Sequence, residues 1–228
     1  MSRQETGDSR QETTGGVGLV SLVSCLWSPV SCLMSVVCGL MLLGVLTPTT
    51  PLVRAAEVVI YNFEGSLEGW AIPDWARSSK DYVARECVIS EEAVDQGRHA
   101  LEIQADFPGK VWTGAYVERQ VETTDWSSFG VLSADLYLPE RAPRGLWGRI
   151  ILTVGNDWEW TEMNHPVKLE PGRWTMVSAN LKPGSLDWKF FPTDSFRANV
   201  RKIGIRIESD KEPAYHGSIF LDNVRLSE

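Results

Sequence analysis

From Val58 onward the chain is heavily punctuated, and this limits what it can fold into more than any other feature. Short runs rich in β-branched and aromatic residues recur at roughly ten-residue intervals, each closed by Gly, Pro, Asp, Asn or Ser. They are Val58–Phe63, Tyr82–Ser90, Ala100–Ala105, Val111–Val121, Val131–Leu138, Arg149–Val154, Trp158–Met163, Trp174–Leu181, Val200–Ile207 and Ser218–Leu226. Several alternate strictly. Leu132, Ala134, Leu136 and Leu138 share one parity, with Ser133, Asp135 and Tyr137 on the other; Ile203, Ile205 and Ile207 alternate with Lys202, Gly204 and Arg206. A period of two gives each strand one buried and one accessible face. About ten such strands without a long helical pattern predict an all-β fold, a β-sandwich of the jelly-roll kind.

Upstream the composition changes. No charged residue lies between Glu12 and Arg54, and Val17–Leu46 is strongly apolar, longer than the ~18 residues that read as membrane-directed. Val53 and Ala55 occupy the −3 and −1 positions of a signal-peptidase site, which predicts a leader over 1–55 and a folded domain over 56–228. Met1–Gly16 balances its acids against its basic groups, unlike an ordinary signal peptide, so a start at Met34 and an uncleaved membrane anchor both stay open. Either way the folded part is expected outside the cytoplasm, secreted, periplasmic or at the cell surface, touching membrane only through an uncleaved leader. Of the four Cys only Cys87 lies in the domain, which excludes a disulfide within it and reads as a small buried hydrophobe. The net charge is −8 with no basic run, which argues against nucleic acid as a partner.

Ten Trp is a high count for 228 residues. Trp70, Trp126 and Trp174 sit beside turn residues and read as plugs at the sandwich ends. Trp158 and Trp160 are two apart; on an extended segment both indoles leave the same face, roughly 7 Å apart. That arrangement suits stacking on the C–H faces of a linear oligosaccharide, whose hydroxyls need planar polar partners nearby. Trp112 shares parity with Tyr116, Tyr137 lies beside Asp135, and Arg206 lies on the polar parity of its own run. These residues, with Glu162, form the candidate ligand site.

The ordered motifs resemble a known family. Tyr61-Asn62-Phe63-Glu64-Gly65 through Gly69-Trp70, then Gly97-Arg98-His99-Ala100-Leu101, are similar to the opening of galactose-binding-like jelly rolls. Asp125-Trp126-Ser127-Ser128-Phe129, Asp135–Pro139, Leu169–Trp174 and Ile219–Val224 continue the pattern. The similarity spans Val58–Leu226 and points to carbohydrate-binding modules, in particular accessory modules of bacterial endo-β-mannanases and related glycanases. The resemblance implies non-catalytic binding of a β-linked polysaccharide, mannan or glucan, by a monomer acting beside a glycan-degrading enzyme. It also implies a structural Ca²⁺ held by Glu64 and Asp222 with carbonyls near Gly97 and His99, hard oxygen donors of the kind Ca²⁺ takes. A structural or adhesive cell-envelope sandwich and a glycan-cleaving hydrolase or lyase remain as alternatives. Acid pairs such as Glu159 and Glu162 exist, but no His-Glu-x-x-His, Gly-x-Ser-x-Gly or phosphate-loop motif is present.

Overall fold

The structure is a computed structural model that describes residues 56–228; the leader and its cleavage site lie outside the described residues. Eleven strands and two single-turn helices follow in the order β1 (Glu57–Tyr61), α1 (Asp74–Arg77), β2 (Ala84–Ser90), β3 (Ala100–Phe107), β4 (Trp112–Gln120), β5 (Val131–Leu138), β6 (Leu146–Val154), β7 (Glu159–Glu162), β8 (Val167–Lys168), β9 (Arg173–Asn180), α2 (Asp194–Arg197), β10 (Val200–Asp210) and β11 (Tyr215–Ser227). Each predicted run contains a strand. Three starts move inward: β2 opens at Ala84, β4 at Trp112 and β7 at Glu159, the last because Trp158 turns with φ +56° before the strand begins.

Two antiparallel sheets result. One has the order β2-β3-β11-β5-β9 with β1 also on β11; the other runs β4-β10-β6-β7 with β8 on β6. The alternating residues decide how they stack. Leu132, Ala134, Leu136 and Leu138 of β5 point inward and are buried, as are Ile203, Ile205 and Ile207 of β10 and Ile150 and Leu152 of β6. The sheets approach closely at Gly148 of β6. A Cβ there would stand 2.6 Å from Leu136 Cδ1 and 2.9 Å from Val177 Cγ2, so the opposite sheet fills the space a side chain would need.

Three indoles seal this core: Trp70, Trp126 and Trp188 are all fully buried. Trp126 donates through Nε1 to Thr123 O (2.8 Å) and Trp188 to Asn180 O (2.9 Å), which meets the polar requirement of a buried indole. Trp174, expected as a third plug, is instead half-buried on the outer face of the six-stranded sheet, 5.4 Å from the Tyr137 ring. Its parity on β9, opposite to buried Val177 and Ala179, sends it outward. Cys87 is half-buried on β2, and burial pushes its thiol pKa up.

Candidate functional site

The outer face of the five-stranded sheet is built around two glycines. Register pairs Tyr116 of β4 with Arg206 of β10, Glu118 with Gly204, and Gly114 with Glu208. A Cβ on Gly204 would lie 2.3 Å from Tyr116 Oη, so the absent side chain is what lets Tyr116 lie across β10. A Cβ on Gly114 would lie 3.0 Å from Arg206 Cδ, and Arg206 reaches back across β4 in the same way. Tyr116 is thus only 1% exposed although it faces outward, and its hydroxyl donates to Glu118 Oε2 at 3.0 Å. Burial and the adjoining Glu118 push the phenol far above its ordinary pKa, so it stays a neutral donor.

A wall rises beside this floor. Segment 71–83 runs along the free edge of β4 and is tied to it at both ends. Ala71 and Glu118 exchange backbone hydrogen bonds (3.0 and 2.9 Å), Gly114 N donates to Asp81 O (3.0 Å), and Val83 N donates to Gly114 O (2.9 Å). The single turn of α1 between these ties carries Trp75 over the sheet. Trp75 packs against Tyr82 (ring centroids 4.9 Å), Tyr116 (5.2 Å) and Trp160 (6.0 Å), while Tyr82 also meets Trp112 (6.1 Å). Edge-on and tilted contacts of this kind stabilise aromatic clusters beyond their buried area.

Trp160 on β7 stands opposite Thr153 of β6 and contacts the Tyr116 ring at 5.5 Å. Trp158 reaches the same place by another route. It leaves a left-handed turn rather than an extended strand, and Lys202 Nζ lies 5.9 Å from its ring centroid. The two-residue spacing therefore brings the indoles together through a turn followed by a strand. Trp75, Tyr82, Trp158 and Trp160 enclose a groove of about 470 Å³ whose polar lining is Glu118, Thr153 and Lys202. Trp75 (43% exposed), Trp158 (49%) and Trp160 (37%) keep large apolar areas open to solvent.

Next to the aromatics runs a chain of ion pairs. Arg206 Nη2 lies 2.8 Å from Glu162 Oε2, and its Nε 3.0 Å from Glu208 Oε2; Arg149 Nη2 meets Glu208 Oε1 at 2.7 Å, and Lys189 Nζ meets Glu162 Oε1 at 2.5 Å. Arg206 also stacks on Trp112, its guanidinium carbon 5.4 Å from the ring centroid. Burial would push Glu162 up, but the Lys189 hydrogen bond and the charges of Arg206 and Arg149 outweigh it and hold the carboxyl below the usual range. Burial would likewise lower Arg206, yet Glu162 and Glu208 keep its pKa above the ordinary value. Such a floor offers hydroxyl groups fixed acceptors and donors with little reorganisation on binding.

Of the seven candidate ligand residues, five share this face: Trp112, Trp158, Trp160, Glu162 and Arg206. Tyr137 and Asp135 do not. Both lie on β5, in the other sheet, where Tyr137 packs on Trp174 and Phe220 (5.4 and 6.1 Å). Asp135 is buried, and its carboxylate is clasped by the Arg225 guanidinium. Burial pushes Asp135 up against the lowering effect of Arg225. This acid holds β5 to β11, in the sheet that does not carry the aromatic groove. Trp75, Tyr82 and Lys202 also line the groove, although neither strand parity nor aromatic spacing marks them as ligand residues.

The calcium expectation meets a different arrangement. Glu64 Oε1 accepts N–H groups from Arg98 (2.8 Å) and His99 (3.2 Å), and these bonds hold its carboxyl low. Asp222 is fully buried and accepts from Asp95 N (3.1 Å), Gln96 N (3.2 Å) and Asn223 N (2.7 Å); burial pushes it up despite those bonds. Among the described residues no three His, Cys, Asp or Glu side chains converge where a metal ion could sit. Glu64 and Asp222, the two acids named for Ca²⁺, thus spend carboxylate oxygens on backbone N–H groups and pin the 95–99 segment from two sides.

No protein-family model matches the chain, and no curated protein matches it. Solved structures do. Carbohydrate-binding module CBM27-1 of Caldicellulosiruptor saccharolyticus, solved with mannohexaose, is 19% identical and covers 76% of this chain and 97% of its own, with a TM-score of 0.52. A module specific for non-crystalline cellulose, CBM28, is also 19% identical, covering 75% of this chain and 94% of its own at a TM-score of 0.56. A structure from a study of promiscuous specificity in β-sandwich carbohydrate-binding modules is 17% identical over 75% of this chain and 62% of its own, with a TM-score of 0.52. At these identities the likeness speaks to architecture: the chain adopts the two-sheet β-sandwich of carbohydrate-binding modules.

Proposed function

We propose that this protein binds a β-linked polysaccharide, mannan or glucan, in the aromatic groove on the outer face of its five-stranded sheet, and does not cleave it. One observation carries the reading: Trp75, Trp158 and Trp160 gather with open faces over a floor that Tyr116 already packs. A pyranose stacks its C–H face on such an indole, while Glu118, Thr153 and Lys202 reach its hydroxyls. The modules with which the chain shares its fold include one solved with mannohexaose and one specific for non-crystalline cellulose, which favours this ligand class. Glycoside hydrolysis needs a carboxyl raised to act as an acid beside a second carboxylate. Glu162 is lowered and ion-paired, and Glu159 lies on the opposite parity of β7, which supports binding without chemistry. The same reading places the domain outside the cytoplasm, working beside a glycan-degrading enzyme.

Titration calorimetry with mannohexaose and cellohexaose tests the proposal. Trp160→Ala is expected to weaken binding tenfold or more, about 1.5–3 kcal/mol for losing a central aromatic anchor. Failure of both sugars to bind, or equal affinity after Trp158→Ala combined with Trp160→Ala, would overturn it. Release of reducing ends from mannan or glucan would replace it with the enzyme reading.

A further inference from the structure

The aromatic groove opens on one side into a second hollow. The two share Glu118 and Lys202, whose carboxylate and ammonium meet at 2.6 Å. Beyond that pair lies a space of about 710 Å³ lined by Glu68, Ala71, Arg119, Gln120 and Glu122, within the ~300–1,000 Å³ of small-ligand sites. Its walls are held in place. Gly69, at φ +81°, lets the preceding turn close on Arg119, whose Nη1 would lie 3.2 Å from a Cβ at that position. The Arg119 guanidinium carbon sits 4.6 Å from the Tyr61 ring centroid, Nη2 meets Glu122 Oε1 at 2.6 Å, and Nε donates to Gln120 O at 3.0 Å. Glu68 Oε2 accepts the N–H groups of Asn62 (3.1 Å) and Phe63 (3.2 Å).

The lining chemistry selects the occupant. Three carboxylates (Glu68, Glu118 and Glu122) face two cations (Arg119 and Lys202), and both cations are already paired. An anionic substituent would meet net negative charge, and an apolar one would strip water from charged groups without replacing its hydrogen bonds. A neutral group dense in hydroxyls can donate to the carboxylates and accept from the guanidinium. Geometry supplies such a group. A pyranose lying face-down on an indole directs its ring-edge hydroxyls and exocyclic C6 sideways rather than into the ring, and the groove adjoins the hollow sideways, at Glu118 and Lys202.

We propose that this hollow takes a single neutral sugar carried as a branch on the polysaccharide whose backbone occupies the aromatic groove, so that the protein prefers decorated chains over bare ones. The proposal rests on the reading of the aromatic groove as a glycan site, and the test keeps the two apart. Calorimetry compares unbranched β-1,4-linked hexasaccharides of mannose and of glucose with the same backbones bearing one galactosyl or xylosyl unit at O6. The wild-type protein is expected to bind a branched form at least fivefold more tightly than the bare form of the same backbone. Ala71 projects an exposed methyl group into the hollow while its backbone is engaged with Glu118, so Ala71→Trp fills the space from outside the groove. This variant is expected to hold the bare sugar within twofold of wild type, which also reports that it is folded, and to lose the advantage of the branch. Gln120→Trp fills the hollow from another wall and should act alike. Branched and bare sugars binding equally, or an advantage that survives both filling variants, would overturn the proposal. Absence of binding to either bare backbone would instead overturn the reading of the groove.

Discussion

Replacing Gly204 by alanine tests whether the floor of the groove is a packed device or an incidental surface. The added methyl would stand 2.3 Å from Tyr116 Oη and 2.6 Å from its Cε2 and Cζ, so the ring must retreat by about 1 Å to regain ordinary contact. It has nowhere to go, because Trp75, Tyr82 and Trp160 hold the ring at centroid distances of 5.2, 6.0 and 5.5 Å. Overpacking of this kind costs about 1–3 kcal/mol. Pulling the hydroxyl off the Glu118 carboxylate adds about 1.5 kcal/mol or more. The expected total is about 3 kcal/mol, a fall in Tm of about 6–12 °C for a domain of this size. Denaturant unfolding and calorimetric melting measure it. The same substitution in a Tyr116→Leu background should cost under about 1 kcal/mol, since the clash partner is gone. A Tm within 2 °C of wild type, or an equal cost in both backgrounds, would refute the account of how Gly204 and Tyr116 make the floor.

Three further outcomes follow from the same geometry. Asp135→Ala should cost about 1.5–3 kcal/mol in unfolding free energy by removing the carboxylate that Arg225 donates to, leaving it Glu57 and the Asn223 carbonyl, while the affinity for mannohexaose or cellohexaose stays within twofold; a selective loss of affinity would return β5 to the site. Glu162, held below the ordinary carboxylate range, contributes stability that is present above about pH 4.5 and is lost as the pH falls through its depressed folded value. Acid unfolding followed by circular dichroism should therefore show a shallower decline below pH 4.5 in Glu162→Gln than in wild type. Melting temperatures in EDTA and in millimolar CaCl₂ should agree within 1 °C; a rise of several degrees with calcium would show that the 95–99 segment turns carbonyls toward a cation between Glu64 and Asp222.

Parity was the legible part of this chain, and the site shows how far it reaches. Ile203, Ile205 and Ile207 announce which side of β10 is buried, and Arg206 on the alternate parity faces outward as read. Tyr137 and Asp135 also lie on the outward parity, yet on the other sheet, because alternation assigns a face and carries no information about which sheet a strand joins. The Trp158–Trp160 pair stood out by spacing. Its actual geometry needed a left-handed residue at Trp158, a backbone state that a non-glycine side chain does not advertise. Trp75 had no periodic signal at all. It sits in one turn of helix whose position is set by backbone ties to β4, some forty residues further along the chain.

The sequence alone determines ten of the eleven strands, the faces that bury, and the lack of a disulfide within residues 56–228, because each follows from local periodicity or residue counting; the two-residue β8 is too short to show a period. It also singles out Trp158 and Trp160 by their spacing. Tertiary structure decided which of those indoles meet. Long-range antiparallel pairing sets β4, β10, β6 and β7 side by side, and two glycines then let Tyr116 and Arg206 lie down across their neighbours. No local pattern encodes that arrangement, because the space left by a missing Cβ gains a use only when another strand's side chain arrives to fill it.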